Sequence, residues 1–167
     1  MSAVRDVNVK AVGLIHSSFS DGKWLIVSHS VDTDTKSRTY VASLDHPIGP
    51  DMKWICLVPK FEYQLSFMIN KGNDFYFVSN KDAPNSKIVR VRVDPSQAKT
   101  VDHITEMKEE AEYEEVVKED KVAPIRDVTI VNNDKLLVVY SRDVKDELWQ
   151  FELQTGEKLR RLLSNCK

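Results

Sequence analysis

The sequence predicts an all-β fold, a partial β-propeller of about three four-stranded antiparallel blades. The main observation is a block that recurs about three times: an apolar run, a tight polar turn, a second apolar run, and a third run rich in Val, Leu and aromatic residues. The turns lie at residues 20–23, 70–73 and 132–135. Their spacing of roughly 50 to 60 residues is typical of propellers and solenoids. Because function in a propeller belongs to the assembled ring, we expect this chain to be part of something larger.

Length and composition are those of one globular domain. The chain has 167 residues, of which 41% are hydrophobic and 30% charged. The net charge of -2 gives no electrostatic reason to expect nucleic acid or an anionic membrane as a partner. The first six residues lack the basic head and apolar body of a signal peptide. Cys56 and Cys166 are expected to be free thiols in a reducing compartment, which makes the cytoplasm the default expectation.

The first predicted blade covers roughly residues 9–58. Residues 24–27, Trp-Leu-Ile-Val, form a continuous apolar run that suits an inner strand covered on both faces. The turn before this run places Gly22 where a tight hairpin needs a positive φ. The four strands are expected at roughly 9–18, 23–30, 38–44 and 53–58.

The second predicted blade covers roughly residues 62–117, with strands at about 62–69, 74–80, 87–93 and 113–117. Residues 87–93 alternate apolar and basic side chains, which indicates a strand with one solvent-exposed face. The valines on one side are Val89, Val91 and Val93. We expect them to face a neighbouring blade. Arg90 and Arg92 should then face solvent or an acidic neighbour such as Glu114 or Glu115.

The third predicted blade covers roughly residues 125–163, with strands at about 125–132, 135–141, 146–153 and 158–163. Residues 136–140, Leu-Leu-Val-Val-Tyr, are again a continuous apolar run after a polar turn. A charged insertion at roughly 96–112 separates the last two strands of the second blade. Its acidic part, residues 106–112, follows no strand alternation and is interpreted as a short exposed helix or a solvated loop.

A search for chemistry assigns no catalytic, cofactor-binding or metal-binding residue. There is no Gly-x-Ser-x-Gly elbow and no glycine-rich phosphate loop. The four histidines are His16, His29, His46 and His103. They lack the close spacing of metal ligands. His29 lies beside Ser28 and Ser30 and ahead of Asp32, but residues of one strand alternate between faces and cannot converge as a triad.

Three other features have structural interpretations. Residues 32–34 resemble the start of a calcium loop, but Ser37 and Ser43 occupy the places of its required Gly and Glu. Cys56 is expected to be a packing residue of a strand rather than a reactive thiol. The tryptophans Trp24, Trp54 and Trp149 are expected to anchor blade packing.

Five short motifs then identify a resemblance. They are Asp-Gly-Lys-Trp at 21–24, Lys-Trp-Ile-Cys-Leu-Val-Pro at 53–59, Asn-Lys-Asp-Ala-Pro-Asn at 80–85, Ser-Arg-Asp-Val-Lys-Asp at 141–146 and Leu-Gln-Thr-Gly at 153–156. In this order and spacing they resemble the central propeller blades of the prolyl oligopeptidase family, in the style of its fungal members. The resemblance covers roughly residues 17–163.

The resemblance implies a scaffold rather than a catalyst. In that family a seven-bladed propeller caps an α/β-hydrolase domain, excludes folded proteins and admits oligopeptides. The catalytic Ser, Asp and His belong to the hydrolase domain, which is expected beyond Lys167. The family's propeller also contributes a Cys and an Arg to the substrate path. Thr33 and Ser30 occupy those places here, so no site residue is carried over.

The expected role is therefore a non-catalytic gate for oligopeptides. The expected partners are the hydrolase domain and remaining blades of a parent peptidase, together with the parent's oligopeptide substrate. No nucleic acid, membrane or cofactor is expected. The alternatives are a free-standing propeller-type module that binds a protein partner, and a truncated product without function. Whether the parent would be a peptidase or a macrocyclising enzyme stays open.

Overall fold

The computed structural model describes residues 22–30, 35–45 and 47–163, and these are nearly all β. The strands are β1 (Trp24–Ser30), β2 (Ser37–Ser43), β3 (Lys53–Val58), β4 (Leu65–Lys71), β5 (Asp74–Ser79), β6 (Lys87–Arg92), β7 (Lys99–Thr100), β8 (Glu114–Val117), β9 (Ile125–Val131), β10 (Lys135–Arg142), β11 (Lys145–Glu152) and β12 (Lys158–Leu162). They form three four-stranded antiparallel sheets, which confirms the predicted fold class. In the part of the chain that the structure describes, no helix is long and apolar enough to cross a membrane.

Sheet 1 has the order β1-β2-β3-β7. The strand predicted at 9–18 lies outside the described residues. The fourth strand that the structure adds, β7, comes from the segment interpreted as a charged insertion. Lys99 and Thr100 pair with Trp54 and Lys53 at the edge of β3. Two polar residues are too short a run to show strand periodicity, so this pairing was not predictable from the local pattern.

Sheets 2 and 3 have the orders β4-β5-β6-β8 and β12-β11-β10-β9. Each contains a tight hairpin whose turn needs positive φ. Gly72 supplies it between β4 and β5, with φ of 58°. Asn132 and Asn133, with φ of 51° and 59°, supply it between β9 and β10. Asparagine tolerates this conformation better than most residues, which explains why the third turn needs no glycine.

Sheet 2 is the middle sheet, and each of its faces contributes side chains to a core. Phe75, Phe77 and Val91 lie in a core shared with Trp24 and Ile26 of sheet 1. A second core joins the opposite face of sheet 2 to sheet 3, and its members include Tyr76, Ile88, Leu136, Val138 and Phe151. The continuous apolar run in β5 belongs to a strand whose two faces both contribute to a core. The run in β10 belongs to a strand that packs one face against sheet 2.

The predicted register of β6 is confirmed. The three valines are about 1% exposed and belong to the core between sheets 1 and 2: Val89, Val91 and Val93. On the opposite face Arg90 forms an ion pair with Glu114. Arg92 pairs with Asp74, its cross-strand partner in β5.

The acidic segment is not an α-helix. It contains one 3-10 turn, Ile104–Glu106, and residues 107–113 have no regular structure. This segment nevertheless makes specific contacts with both sheet 1 and sheet 2. Residues 106, 108–110 and 112 are exposed, which agrees with the interpretation of a solvated loop, and the contacts are described below.

Candidate functional site

The residues suggestive of a triad do not converge. Ser28 and His29 are neighbours in β1 and point to opposite faces. Ser28 Oγ lies 3.3 Å from Thr39 Oγ1. His29 pairs across the strands with Arg38 and packs edge-on against Phe61, with 5.4 Å between ring centroids. Asp32 lies outside the described residues. The described part of this strand therefore offers no nucleophile–base pair.

His29, Arg38 and Phe61 instead form a cluster where β1 and β3 end. The Arg38 guanidinium lies 4.6 Å from the centroid of the Phe61 ring, a cation–π distance. Burial lowers the pKa of His29, and the nearby Arg38 charge lowers it further, so the imidazole is neutral at neutral pH. An arginine and a neutral histidine beside an aromatic ring can hydrogen-bond a carbonyl or carboxylate, but they lack a nucleophile.

Sequence reasoning missed this cluster, although one signal was available. Arg38 is the one charged residue of β2, and it stands directly opposite His29 in β1. Beneath the cluster, the hydroxyl of Tyr40 and the Nε of Arg38 are buried without a hydrogen-bond partner. Burial raises the pKa of Tyr40 to about 12, so this hydroxyl stays protonated.

Cys56 is a free, buried thiol in β3, in agreement with its interpretation as a packing residue. Its pKa is raised to about 12, chiefly by burial; the Arg38 charge opposes this shift, and the Glu110 and Glu109 carboxylates add to it. Since the thiolate is the nucleophilic form, this cysteine is inert at neutral pH.

Two of the tryptophans lie at sheet-to-sheet contacts. Trp24 packs edge-on against Phe75 of sheet 2, with 5.3 Å between ring centroids. Trp149 packs against the core between sheets 2 and 3 and carries the Lys158 ammonium 3.5 Å from its ring centroid. Both positions fit the predicted role in blade packing.

The described residues contain no group of three or more His, Cys, Asp or Glu side chains placed to hold a metal ion. His16, His46 and the start of the supposed calcium loop at 32–34 lie outside those residues. A cleft of about 560 Å³ lies between sheets 2 and 3 and is lined by residues that include Val116, Tyr140, Phe151 and Gly156. Its lining has no serine, cysteine or histidine, so the cleft lacks the Ser–His or Cys–His pair of a peptidase site.

Comparison with known proteins gives a consistent result. The family model for the N-terminal β-propeller domain of prolyl oligopeptidase matches residues 9–165. The chain is 32% identical to prolyl oligopeptidase A of Amanita bisporigera over 143 residues, which are 85% of this chain and 17% of that protein. It is 27% identical to the dual function macrocyclase-peptidase POPB of Galerina marginata, covering 85% of this chain and 18% of the relative.

Solved structures agree with the sequence comparison. The apo structure of prolyl oligopeptidase B from Galerina marginata matches with a TM-score of 0.71 and 27% identity, covering 86% of this chain and 18% of that one. The same enzyme bound to a 35mer hydrolysis and macrocyclization substrate matches equally well. The chain thus spans less than one fifth of the length of these relatives. It belongs to the prolyl oligopeptidase family, and what it contains is part of that family's N-terminal β-propeller domain.

Proposed function

We propose that the chain is a non-catalytic propeller segment that gates oligopeptide access to a hydrolase domain in a prolyl-oligopeptidase-like serine peptidase. The match of residues 9–165 to the propeller domain of that family is the observation that carries the proposal. The relatives named above are peptidases or macrocyclase-peptidases, and one was solved with a 35mer peptide substrate. In the proposed parent, the three sheets form part of the wall that a peptide passes on its way to the catalytic serine.

The outer face of sheet 3 supports the need for further blades. Val139 of β10 faces Leu148 of β11, and Leu148 faces Leu162 of β12 across the strands. Leu137 lies two residues from Val139 and shares this face, and all four side chains are half-buried. Sheet 2 covers the other face of sheet 3, so this apolar stripe is the natural contact for a following blade.

The purified chain is expected not to hydrolyse a chromogenic peptide with proline at the cleavage site. The physical reason is that the covalent route needs an activated serine with its base, and the proposed parent holds these in another domain. The assay uses prolyl oligopeptidase A of Amanita bisporigera as positive control. Turnover that persists through independent purifications and is blocked by a serine-directed inhibitor would contradict the proposal.

The isolated chain is also expected to self-associate. Exposed apolar faces of this kind ordinarily mark association sites. Size-exclusion chromatography with light scattering should show species larger than the 19.2 kDa monomer. The double variant Val139→Lys, Leu148→Glu should return the chain toward a monomer. Val144→Lys, at a fully exposed turn away from this face, should leave the association unchanged.

A monodisperse, cooperatively unfolding wild-type monomer would contradict this expectation. It would also favour the alternative function, a free-standing module that binds a protein partner. Chromatography with light scattering measures the oligomeric state, and a urea titration measures the cooperativity of unfolding.

A further inference from the structure

The segment that joins β6 to β8, residues 93–113, takes an unusual route. Both strands belong to sheet 2, yet the connection first crosses to sheet 1, where it adds β7 to the edge of β3. It then returns to sheet 2 and enters β8. We call residues 93–113 the strap, because the segment contacts both sheet 1 and sheet 2.

Glu110 is the most highly connected side chain of the strap. Its Oε1 accepts a hydrogen bond from Lys81 Nζ at 2.6 Å and another from the Tyr63 hydroxyl. Lys81 directly follows β5 of sheet 2, and Tyr63 lies in the connection between sheets 1 and 2. A single carboxylate oxygen on the strap is therefore held by two groups from the body of the protein. Hydrogen bonds to a charged group are stronger than those between neutral groups.

Two further bonds fix the strap to β3. The Tyr113 hydroxyl donates to the backbone oxygen of Leu57 at 2.7 Å, and the Ala111 N–H donates to the same oxygen at 3.3 Å. The Tyr113 and Tyr63 hydroxyl oxygens are 2.7 Å apart. Leu57 is fully buried in sheet 1, so these bonds anchor the strap to a fixed part of the molecule.

The charges around this network are mutually consistent. Burial raises the pKa of Glu110, but hydrogen bonds from Lys81 and Tyr63 lower it by more, so the carboxyl stays ionised at neutral pH. Burial also raises the pKa of Tyr63 and Tyr113, so both phenols keep the protons that they donate. The Lys81 ammonium lies 5.2 Å and 4.9 Å from the ring centroids of Tyr63 and Tyr113, within cation–π distance.

We propose that the strap is a latch that locks sheets 1 and 2 into one mechanical unit, with Glu110 as the residue that closes it. The connection from β8 to β9 bonds sheets 2 and 3 in a similar way: the Asp120 backbone oxygen accepts a hydrogen bond from Asn85 Nδ2 at 2.9 Å, and the Asp120 carboxylate pairs with Arg142 of β10. The strap does the corresponding work for sheets 1 and 2. This inference concerns the mechanics of the sheets and stands apart from the proposed gating role.

Hydrogen exchange on the full chain tests the latch, because local opening is read directly at individual amides. Glu110→Ala removes the closing carboxylate. The matched control is Glu112→Ala, a carboxylate of the same strap that makes none of the hydrogen bonds described above. In Glu110→Ala we expect the amides of Ala111 and β7 to exchange at least about tenfold faster than in wild type, with sheet 3 amides unchanged. The control should match wild type.

Two outcomes would overturn the proposal. If Glu110→Ala and Glu112→Ala behave alike, the strap is a solvated insertion. If exchange accelerates equally in sheet 3, Glu110 supports general stability and closes no latch.

Milder variants keep the test informative if Glu110→Ala does not fold. Tyr113→Phe removes the side-chain bonds to Leu57 and to Tyr63 and should accelerate exchange mainly at Ala111. A double-mutant cycle of Glu110→Gln with Lys81→Met should show non-additive exchange rates, because Lys81 and Glu110 act through one contact. Additive effects would mean that the two residues act independently, which is incompatible with a shared closing contact.

Discussion

Replacing Gly156 with alanine is expected to lower the free energy of unfolding by roughly 3 kcal/mol and to disrupt the seam between sheets 2 and 3. A Cβ at this position would lie 1.7 Å from the backbone oxygen of Val116 and 2.6 Å from its carbonyl carbon. The obstacle is the backbone of β8, which cannot rotate away as a flexible side chain would. Forced displacement of this kind costs about 2 kcal/mol, and the left-handed backbone of Gly156, with φ of 69°, adds about 1 kcal/mol.

Gly72→Ala provides the matched control. Gly72 also has positive φ, 58°, but nothing lies within 4 Å of the position that a Cβ would occupy. Only the backbone conformation is then penalised, and a loss of about 1 kcal/mol is expected. Urea unfolding of both variants, followed by circular dichroism, measures the difference. Equal losses would show that the contact between Gly156 and β8 is looser than the structure indicates.

Local features of this fold were predictable from sequence. The turns at Gly72 and at Asn132 and Asn133 were found because positive φ restricts the choice of residue within a few positions. The register of β6 was found because burial of one face forces the valines and arginines onto opposite sides. Both arguments need only near neighbours in the chain, and both agree with the structure.

Long-range contacts were not predictable. The strap reads as a charged insertion because its partners are far away in sequence: Tyr63 is 47 residues and Lys81 is 29 residues from Glu110. The strand β7 is too short to show the two-residue alternation of apolar and polar side chains that identifies a strand. The contact of His29 and Arg38 with Phe61 depends on where the chain goes after β3, which no local pattern specifies.

Phe77→Ala is expected to lower the free energy of unfolding by about 3–5 kcal/mol, the usual range for deleting a buried phenylalanine. Phe77 is fully buried in the core between sheets 1 and 2, with its ring centroid 5.7 Å from that of Phe67. Phe67→Ala is the matched control, because Phe67 borders the same core but is only partly buried. Its loss should be clearly smaller, since less apolar surface returns to water on unfolding.

The Phe77 variant also tests whether the three sheets unfold as one unit. Trp24 reports on the core between sheets 1 and 2, and Trp149 reports on the core between sheets 2 and 3. Because sheet 2 contributes to both cores, a cavity at Phe77 should lower the urea midpoint of both fluorescence signals by the same amount. The signals are separated by Trp→Phe replacement of the other tryptophans. A shift confined to Trp24 would mean that sheet 3 keeps its structure after sheets 1 and 2 separate. The contacts of the strap would then be too weak to hold sheets 1 and 2 together.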